Sequence, residues 1–381
     1  MKDAKITIIG CGLLGGSAAL ALKRRRPDWA VACIDLAERL PAIREAGITD
    51  EVGTPEDLAR HLPESSFVLL AMPVPAIMET IERIRPHLRA GAIVTDVGST
   101  KQQIMAKAQA LMPPGTHFIG GHPMAGSERS GVEAADPLLF SDRVYVLCPY
   151  PDTPADVLLS VMNLVEDLLA LPITIDPEEH DRIMAMVSHL PQLIAVALMH
   201  AAQSEDATHD MLDKLAGRGF MDMTRLAASD YGIWMGILET NKAAIRESSD
   251  RFVRSLAALL DKMVAGDAAL MWEEVCRRRR QMGVDSLPRM RKPDYRSIID
   301  RCDKQILGAL GHRMQVARRI GRLKSHQQAP VSDPDRERRM VAQRGEWGKA
   351  LGLPPELINE LFAVIIRHST HIQATERGAA P

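Results

Sequence analysis

The chain has 381 residues, a formal net charge of -2 from 47 basic and 49 acidic side chains, and a 46% hydrophobic composition. That length exceeds one ordinary core and suits two or three domains. The balanced charge gives no bulk attraction to nucleic acid or to an acidic membrane, so neither is expected as a partner.

In chain order, short runs rich in Val and Ile at residues 6–9, 31–34, 67–71, 93–97, 117–119 and 144–147 alternate with amphipathic stretches. This alternation predicts an α/β domain of Rossmann type over residues 1–176, with a mostly parallel sheet and crossover helices. After Pro177 the pattern changes to long helical periodicity rich in Met, Leu and Ala, which predicts an all-α domain over 177–282. It holds more apolar residue than one bundle of that length needs, so pairing with a second copy as a homodimer is expected. Four consecutive arginines, Arg277, Arg278, Arg279 and Arg280, read as the solvated end of a helix favoured by its dipole, and residues 283–293 as a linker. Residues 294–378 are helical again, with one long pattern to 325, a break at 330–334, a second helix, and a third after Pro354 and Pro355.

The five cysteines are scattered with no CxxC pair, and the first apolar run passes straight into glycines, as a buried strand does and a leader does not. No apolar run approaches the roughly 20 residues that span a bilayer. These features point to reduced thiols and a cytoplasmic location.

The first run leads into Gly10-Cys11-Gly12-Leu13-Leu14-Gly15 and an apolar helix. In that setting the first glycine permits the tight turn, the second admits a pyrophosphate to the backbone, and the third lets the helix pack on its strand. Leu13 and Leu14 open the helix whose free amides would hold the phosphates. Asp35 follows 20 residues after Gly15, at the end of the next strand. A carboxylate there accepts from ribose hydroxyls and repels a 2′-phosphate, which favours NAD as cofactor. Arg24, Arg25 and Arg26 lie at the far end of the helix and read as C-terminal helix charges.

Further on, Asp96-Val97-Gly98-Ser99-Thr100-Lys101 closes a strand whose loop faces the crevice where open α/β sheets bind ligands. Gly121-His122-Pro123-Met124-Ala125-Gly126-Ser127-Glu128 reads as a glycine-flanked polar loop that aims His122 at a cleft, although a histidine there is as often an ordinary loop residue. His189, in Val187-Ser188-His189-Leu190-Pro191-Gln192, read alone is a satisfied helix histidine. Together with residues 10–17 and with Gly219-Phe220-Met221-Asp222-Met223-Thr224-Arg225, Trp234 and Asn241, these motifs resemble the prephenate and arogenate dehydrogenase family in order and spacing over residues 1–282. The resemblance implies that His122 is the catalytic histidine at the substrate 4-hydroxyl, with Ser99 nearby and Arg225 on a substrate carboxylate. Ser127, Glu128 and His189 follow as pocket residues. Several family members carry Lys where this chain has Met221, so that charge is absent here. Prephenate and arogenate differ by a keto group against an amine, which the sequence hardly separates.

In the last region Arg313 and Lys324 are 11 residues apart, close to three helical turns, and so project from one face, whereas Arg296 points elsewhere. Asp333, Arg336 and Glu337 open the second helix, and Ser369 and Gln373 share a face of the third at i, i+4. A helical hairpin with solvated charges would carry the same residues. The set nevertheless resembles the all-helical chorismate mutase family at every substrate-contacting position. The resemblance implies a helix-swapped dimer, a clamp of Arg296 and Arg313 on the chorismate carboxylates, and Lys324 with Gln373 at the ether oxygen, with no metal. The alternative is a non-catalytic module that dimerises or regulates the dehydrogenase.

Overall fold

The computed structural model describes residues 4–126, 129–203, 212, 214–285, 295–326, 334–350 and 352–378. By contacts the chain divides into two compact units, Met1–Ile298 and Ile299–Pro381.

The first unit begins with β1 (Lys5–Ile9), α1 (Leu13–Arg25), β2 (Ala30–Ile34), α2 (Leu40–Glu45), β3 (Glu51–Gly53), α3 (Leu58–His61), β4 (Phe67–Leu70), α4 (Val74–Ile84), β5 (Ile93–Asp96), α5 (Gln102–Leu111), β6 (His117–Pro123), β7 (Val144–Cys148), α6 (Ala155–Asp167) and β8 (Leu171–Thr174). One eight-stranded sheet runs in the order β3-β2-β1-β4-β5-β6-β7-β8. Every neighbouring pair is parallel except β6 with β7. Ile6, Ile8, Val31, Val68, Leu70 and Val94 are fully buried, as strands covered by helices on both faces require. On α4, Val74, Ile77, Ile81 and Ile84 form the buried stripe at three- and four-residue spacing.

Two strands escape a reading of periodicity. β3 has only three residues and the four of β8 include Pro172, which breaks its apolar run, and each exists because a longer neighbour offers it a ladder. His122 is a correction of another kind, since it lies inside β6 opposite Val146 of β7 and not in a loop. The strand continues because its far half pairs with the antiparallel β7 after the pairing with β5 ends at Ile119. The flanking glycine serves close approach: a Cβ on Gly121 would sit 2.3 Å from the Asp96 carbonyl oxygen.

Beyond the sheet the described elements of this unit are helical. α7 (Pro177–Met184) is capped by Asp176, whose carboxylate accepts from the amides of Glu178 and Glu179. One π-helical turn, Ala185–His189, joins it to α8 (Leu190–Gln203). Wound together, Pro177–Gln203 are 27 residues long and apolar enough by length and composition to cross a membrane, which the sequence reading did not find. In the fold this segment carries buried His180, Asp181, His189 and Gln192 against the sheet domain and the turn at Leu226, and 33% of its most apolar window is buried. The helices Arg218–Thr224, Tyr231–Thr240, Lys242–Ala265 and Ala269–Asp285 follow. Several large apolar side chains on the last two are exposed, Leu260, Val264 and Trp272 among them.

The second unit takes most of the helix Tyr295–His326, then Pro334–Ala350 and Pro355–Gly378. Ala317, Ile358 and Ile365 are its buried apolar residues among those described.

Gly121→Ala is expected to destabilise the first unit by about 2 kcal/mol or more, because a methyl driven against backbone cannot be relieved by a rotamer change. Urea denaturation of the two proteins checks this.

Candidate active sites

At the end of β1 the chain turns through Gly10 at φ +88, a left-handed conformation that favours glycine. A Cβ on Gly15 would lie 2.0 Å from the Gly10 carbonyl oxygen, whereas one on Gly12 would meet nothing within 4 Å. The turn is thus closed on its protein side and open at Gly12, where no side chain caps the helix amides. The Asp35 carboxylate is buried beside it, accepting from the amides of Cys11 at 2.6 Å and Leu36 at 2.7 Å, with the Arg39 guanidinium 3.5 Å away. This cradle fits a dinucleotide with its pyrophosphate over Gly12 and its ribose at Asp35. The arginines at the helix end stand apart: Arg24 and Arg25 occupy the last turn of α1, and Arg26 bonds Asp28 and Asp167.

The β5–α5 loop closes over a buried ion pair. The Asp96 carboxylate accepts from Lys101 Nζ, from the Gly98 amide at 2.8 Å and from the Gly121 amide at 3.0 Å. Lys101 Nζ also donates to the Gly121 carbonyl at 2.7 Å. Both backbone groups of the residue before His122 are therefore held. Ser99 is half-buried in this loop, and Thr100 next to it contacts Thr240 at 2.8 Å.

His122 is buried, and its Nδ1 lies 2.9 Å from His180 Nε2, with the two rings edge to face at 76°. His180 Nδ1 is 2.8 Å from Asp181 Oδ1. The same carboxylate accepts from the amides of Lys101 at 2.7 Å and Gln102 at 2.9 Å, the first donors of α5. Burial, and then the proximity of His180, Lys101 and His189, hold the His122 imidazole well below its ordinary range, so it is neutral at neutral pH. His189 sits on the π-helical turn, fully buried, edge-on to Trp234, with its Nδ1 3.2 Å from Asn241 Nδ2. Asn241 Nδ2 also donates to the Asp181 carbonyl at 2.7 Å. Burial lowers His189 to about 4, His180 adds to the shift, and the Asp181 carboxylate opposes it.

The positions singled out in the sequence fare differently. His122, His189 and the Ser99 loop share one neighbourhood. Arg225 is exposed at the head of the turn Arg225–Ala228, which Gln192 Nε2 reaches through the Leu226 carbonyl at 2.9 Å. Met221 is 59% exposed and leaves no charge at its position. Ser127 and Glu128 lie outside the described residues. His180, Asp181, Gln192 and the Asp96–Lys101 pair were not read as site groups. The adjacent His and Asp just after the capped helix start were the available signal.

In the second unit Arg313 Nη1 donates to Ser369 Oγ, which donates to the Ile365 carbonyl at 2.7 Å. Burial and the nearby Arg344 guanidinium both disfavour the charge on Arg313, a setting that welcomes an anion. A Cβ on Gly321 would meet Gln373 Cα at 2.9 Å, so glycine lets the first and third helices touch one turn before half-buried Lys324. Gln373 Oε1 is buried without a hydrogen-bond partner. Arg296 lies in the first helix and Arg336 and Glu337 in the second with only their backbone described, and Asp333 lies outside the described residues. No group of three or more potential metal ligands occurs among the described residues.

Residues 18–173 match the family described as prephenate dehydrogenase, nucleotide-binding domain, residues 176–275 its dimerization domain, and residues 295–374 chorismate mutase type II. The chain is 34% identical over 258 residues to prephenate dehydrogenase of Bacillus subtilis, covering 67% of this chain and 69% of that protein. It is 36% identical over 74 residues to the T-protein of Enterobacter agglomerans, 19% of this chain and 20% of that one. The crystal structure of prephenate dehydrogenase from A. aeolicus with hydroxyphenyl propionate and NAD+ superposes with a TM-score of 0.69 at 30% identity, covering 74% of this chain and 99% of that one.

The buried imidazoles predict an acid limb in stability. A histidine whose folded pKa is lowered binds its proton more readily when unfolded, so stability falls as pH drops from about 6.5 towards the folded value. For His189, with a folded value of about 4, the loss at pH 5 relative to pH 7 is about 2 kcal/mol. Denaturation at several pH values is expected to show this slope, and His189→Asn to reduce it.

Proposed function

Because the chain belongs to the prephenate dehydrogenase family and carries a type II chorismate mutase domain, we propose residue roles for two consecutive reactions of tyrosine biosynthesis. The mutase domain converts chorismate to prephenate, and the NAD-dependent dehydrogenase converts prephenate to 4-hydroxyphenylpyruvate with loss of carbon dioxide. The observation that carries the assignment of roles is a buried, neutral His122 at the same end of the sheet as the dinucleotide turn.

NAD+, when bound, supplies the acceptor for the hydrogen and electron pair lost from C4 of the ring. Gly10, Gly12 and Gly15 would shape its cradle, the amides at Leu13 and Leu14 would hold its phosphates, and Asp35 would accept from its ribose. His122 takes the 4-hydroxyl proton as that carbon becomes a carbonyl, and Ser99 holds the hydroxyl in place. Loss of the ring carboxylate then makes the ring aromatic, which renders the step effectively irreversible. Arg225 binds a substrate carboxylate in bidentate fashion, with His189, Ser127 and Glu128 completing the pocket.

Chorismate needs no nucleophile. Arg313 and Arg296 hold its carboxylates in the compact conformer, Arg336 adds charge, and Asp333, Glu337 and Ser369 orient the cations and the ring. Lys324 Nζ and the Gln373 side-chain N–H donate to the ether oxygen as its bond breaks.

The working boundaries are 1–176 for the dinucleotide domain, 177–282 for the helical domain, 283–293 for the linker and 294–378 for the mutase. The exposed apolar side chains on Lys242–Ala265 and Ala269–Asp285 support a homodimer, and the reduced-thiol composition supports the cytoplasm.

Chorismate mixed with NAD and the purified protein is expected to give NADH and carbon dioxide after a lag that added prephenate abolishes. NADH from added prephenate but none from chorismate would leave the helical module as a regulator or dimerisation element, and NADH from arogenate alone would move the substrate assignment. His122→Asn is expected to lower dehydrogenase kcat by about 100-fold or more while NAD binding changes little. Arg313→Ala is expected to abolish mutase turnover and spare NADH formation from prephenate.

A further inference from the structure

The hydrogen bonds around Asp181 determine which nitrogen of His122 carries a proton. Two backbone amides at the N-terminus of α5 donate to the Asp181 carboxylate. An ionised carboxylate only accepts, so the 2.8 Å contact with His180 is made by an Nδ1–H donor. A neutral His180 that donates from Nδ1 has a bare Nε2, which accepts the 2.9 Å contact from His122 Nδ1–H. Neutral His122 is left with Nε2 as its lone-pair nitrogen. Residues 122, 180 and 181 are all buried. The other charged or titratable groups facing His122 are His189 and Lys101, the latter neutralised by Asp96.

We propose that His180 and Asp181 are positioning residues for the dehydrogenase reaction, a relay that locks His122 in the tautomer whose Nε2 accepts the substrate proton and that stabilises the imidazolium formed. This rests on the reading of His122 as the base. In the step, the substrate O–H bond breaks and its proton bonds to His122 Nε2, the O–H pair becomes the second bond of the C4 carbonyl, and the C4–H pair leaves with hydrogen to the dinucleotide. His122 is then positively charged with N–H on both sides. One imidazole separates that charge from the Asp181 carboxylate, so nothing has to move along the relay for the charge to be felt.

The test uses the full-length enzyme with Asp181→Asn, whose amide can present N–H to His180 and reverse the chain. The expected result is a fall in dehydrogenase kcat of about 10²- to 10⁴-fold, with KM for prephenate and NAD affinity changed less than about threefold. The acid limb of kcat/KM, which reports protonation of His122, should move to lower pH, because the carboxylate no longer favours the cation. Nitrogen-15 spectra of the histidine rings should show the His122 proton on Nδ1 in the parent and on Nε2 in the variant. His180→Gln keeps the Asp181 contacts with α5 and covers the case in which Asp181→Asn does not fold; it should lower kcat at least about tenfold and move the same limb. A variant that folds with its limb and the His122 tautomer unchanged overturns the relay, even where kcat falls. If His122→Asn itself retains turnover, the failure lies in the underlying reading of the base and not in the relay alone.

Discussion

The carboxylate of Asp181 is a charge removed from water, and the architecture around it is what makes that tolerable. Burying an uncompensated carboxylate would cost several kcal/mol. Here two amides of the β5–α5 turn and one imidazole satisfy it, and the carbonyl of the same residue accepts from Asn241. Those partners come from the sheet domain, from α7 and from the start of the helix Lys242–Ala265. One residue therefore registers three parts of the first unit against each other, at the position where the chemistry requires accuracy.

The Asp96–Lys101 pair repeats the device on the sheet side. A fully buried ion pair is weak evidence for stability, since an apolar pair of similar volume would often do as well. Its bonds instead go to both backbone groups of Gly121, and so fix the strand position of His122. Against these held groups the π-helical turn at Ala185–His189 is a local irregularity of the kind often found at functional sites. It joins α7, which carries His180 and Asp181, to α8, which carries Gln192.

The second unit meets its substrate by different physics. No proton is transferred in a chorismate rearrangement, so its residues need to be charged and fixed, not tuned. Ser369 accepts from Arg313, and Gly321 lets the first and third helices approach closely one turn before Lys324. The buried, unpartnered Gln373 Oε1 is a cost in the free protein that only a hydrogen-bond donor would relieve.

Much of this was legible in the chain itself, because period and spacing are local properties. Alternating apolar runs announce the sheet, Gly10 to Gly15 with Asp35 announce a dinucleotide, and Arg313 with Lys324 share a face by helical arithmetic alone. What the sequence could not supply was any property that depends on a distant partner. β3 and β8 exist only as neighbours of longer strands, and His122 reads as a loop residue until β7 pairs with it. The relay joins residues 58 apart, and its anchor on α5 is 80 residues from the carboxylate it holds. Hydrogen-bond partners and local dielectric arise only when such groups are buried together, and neither can be read from spacing along the chain.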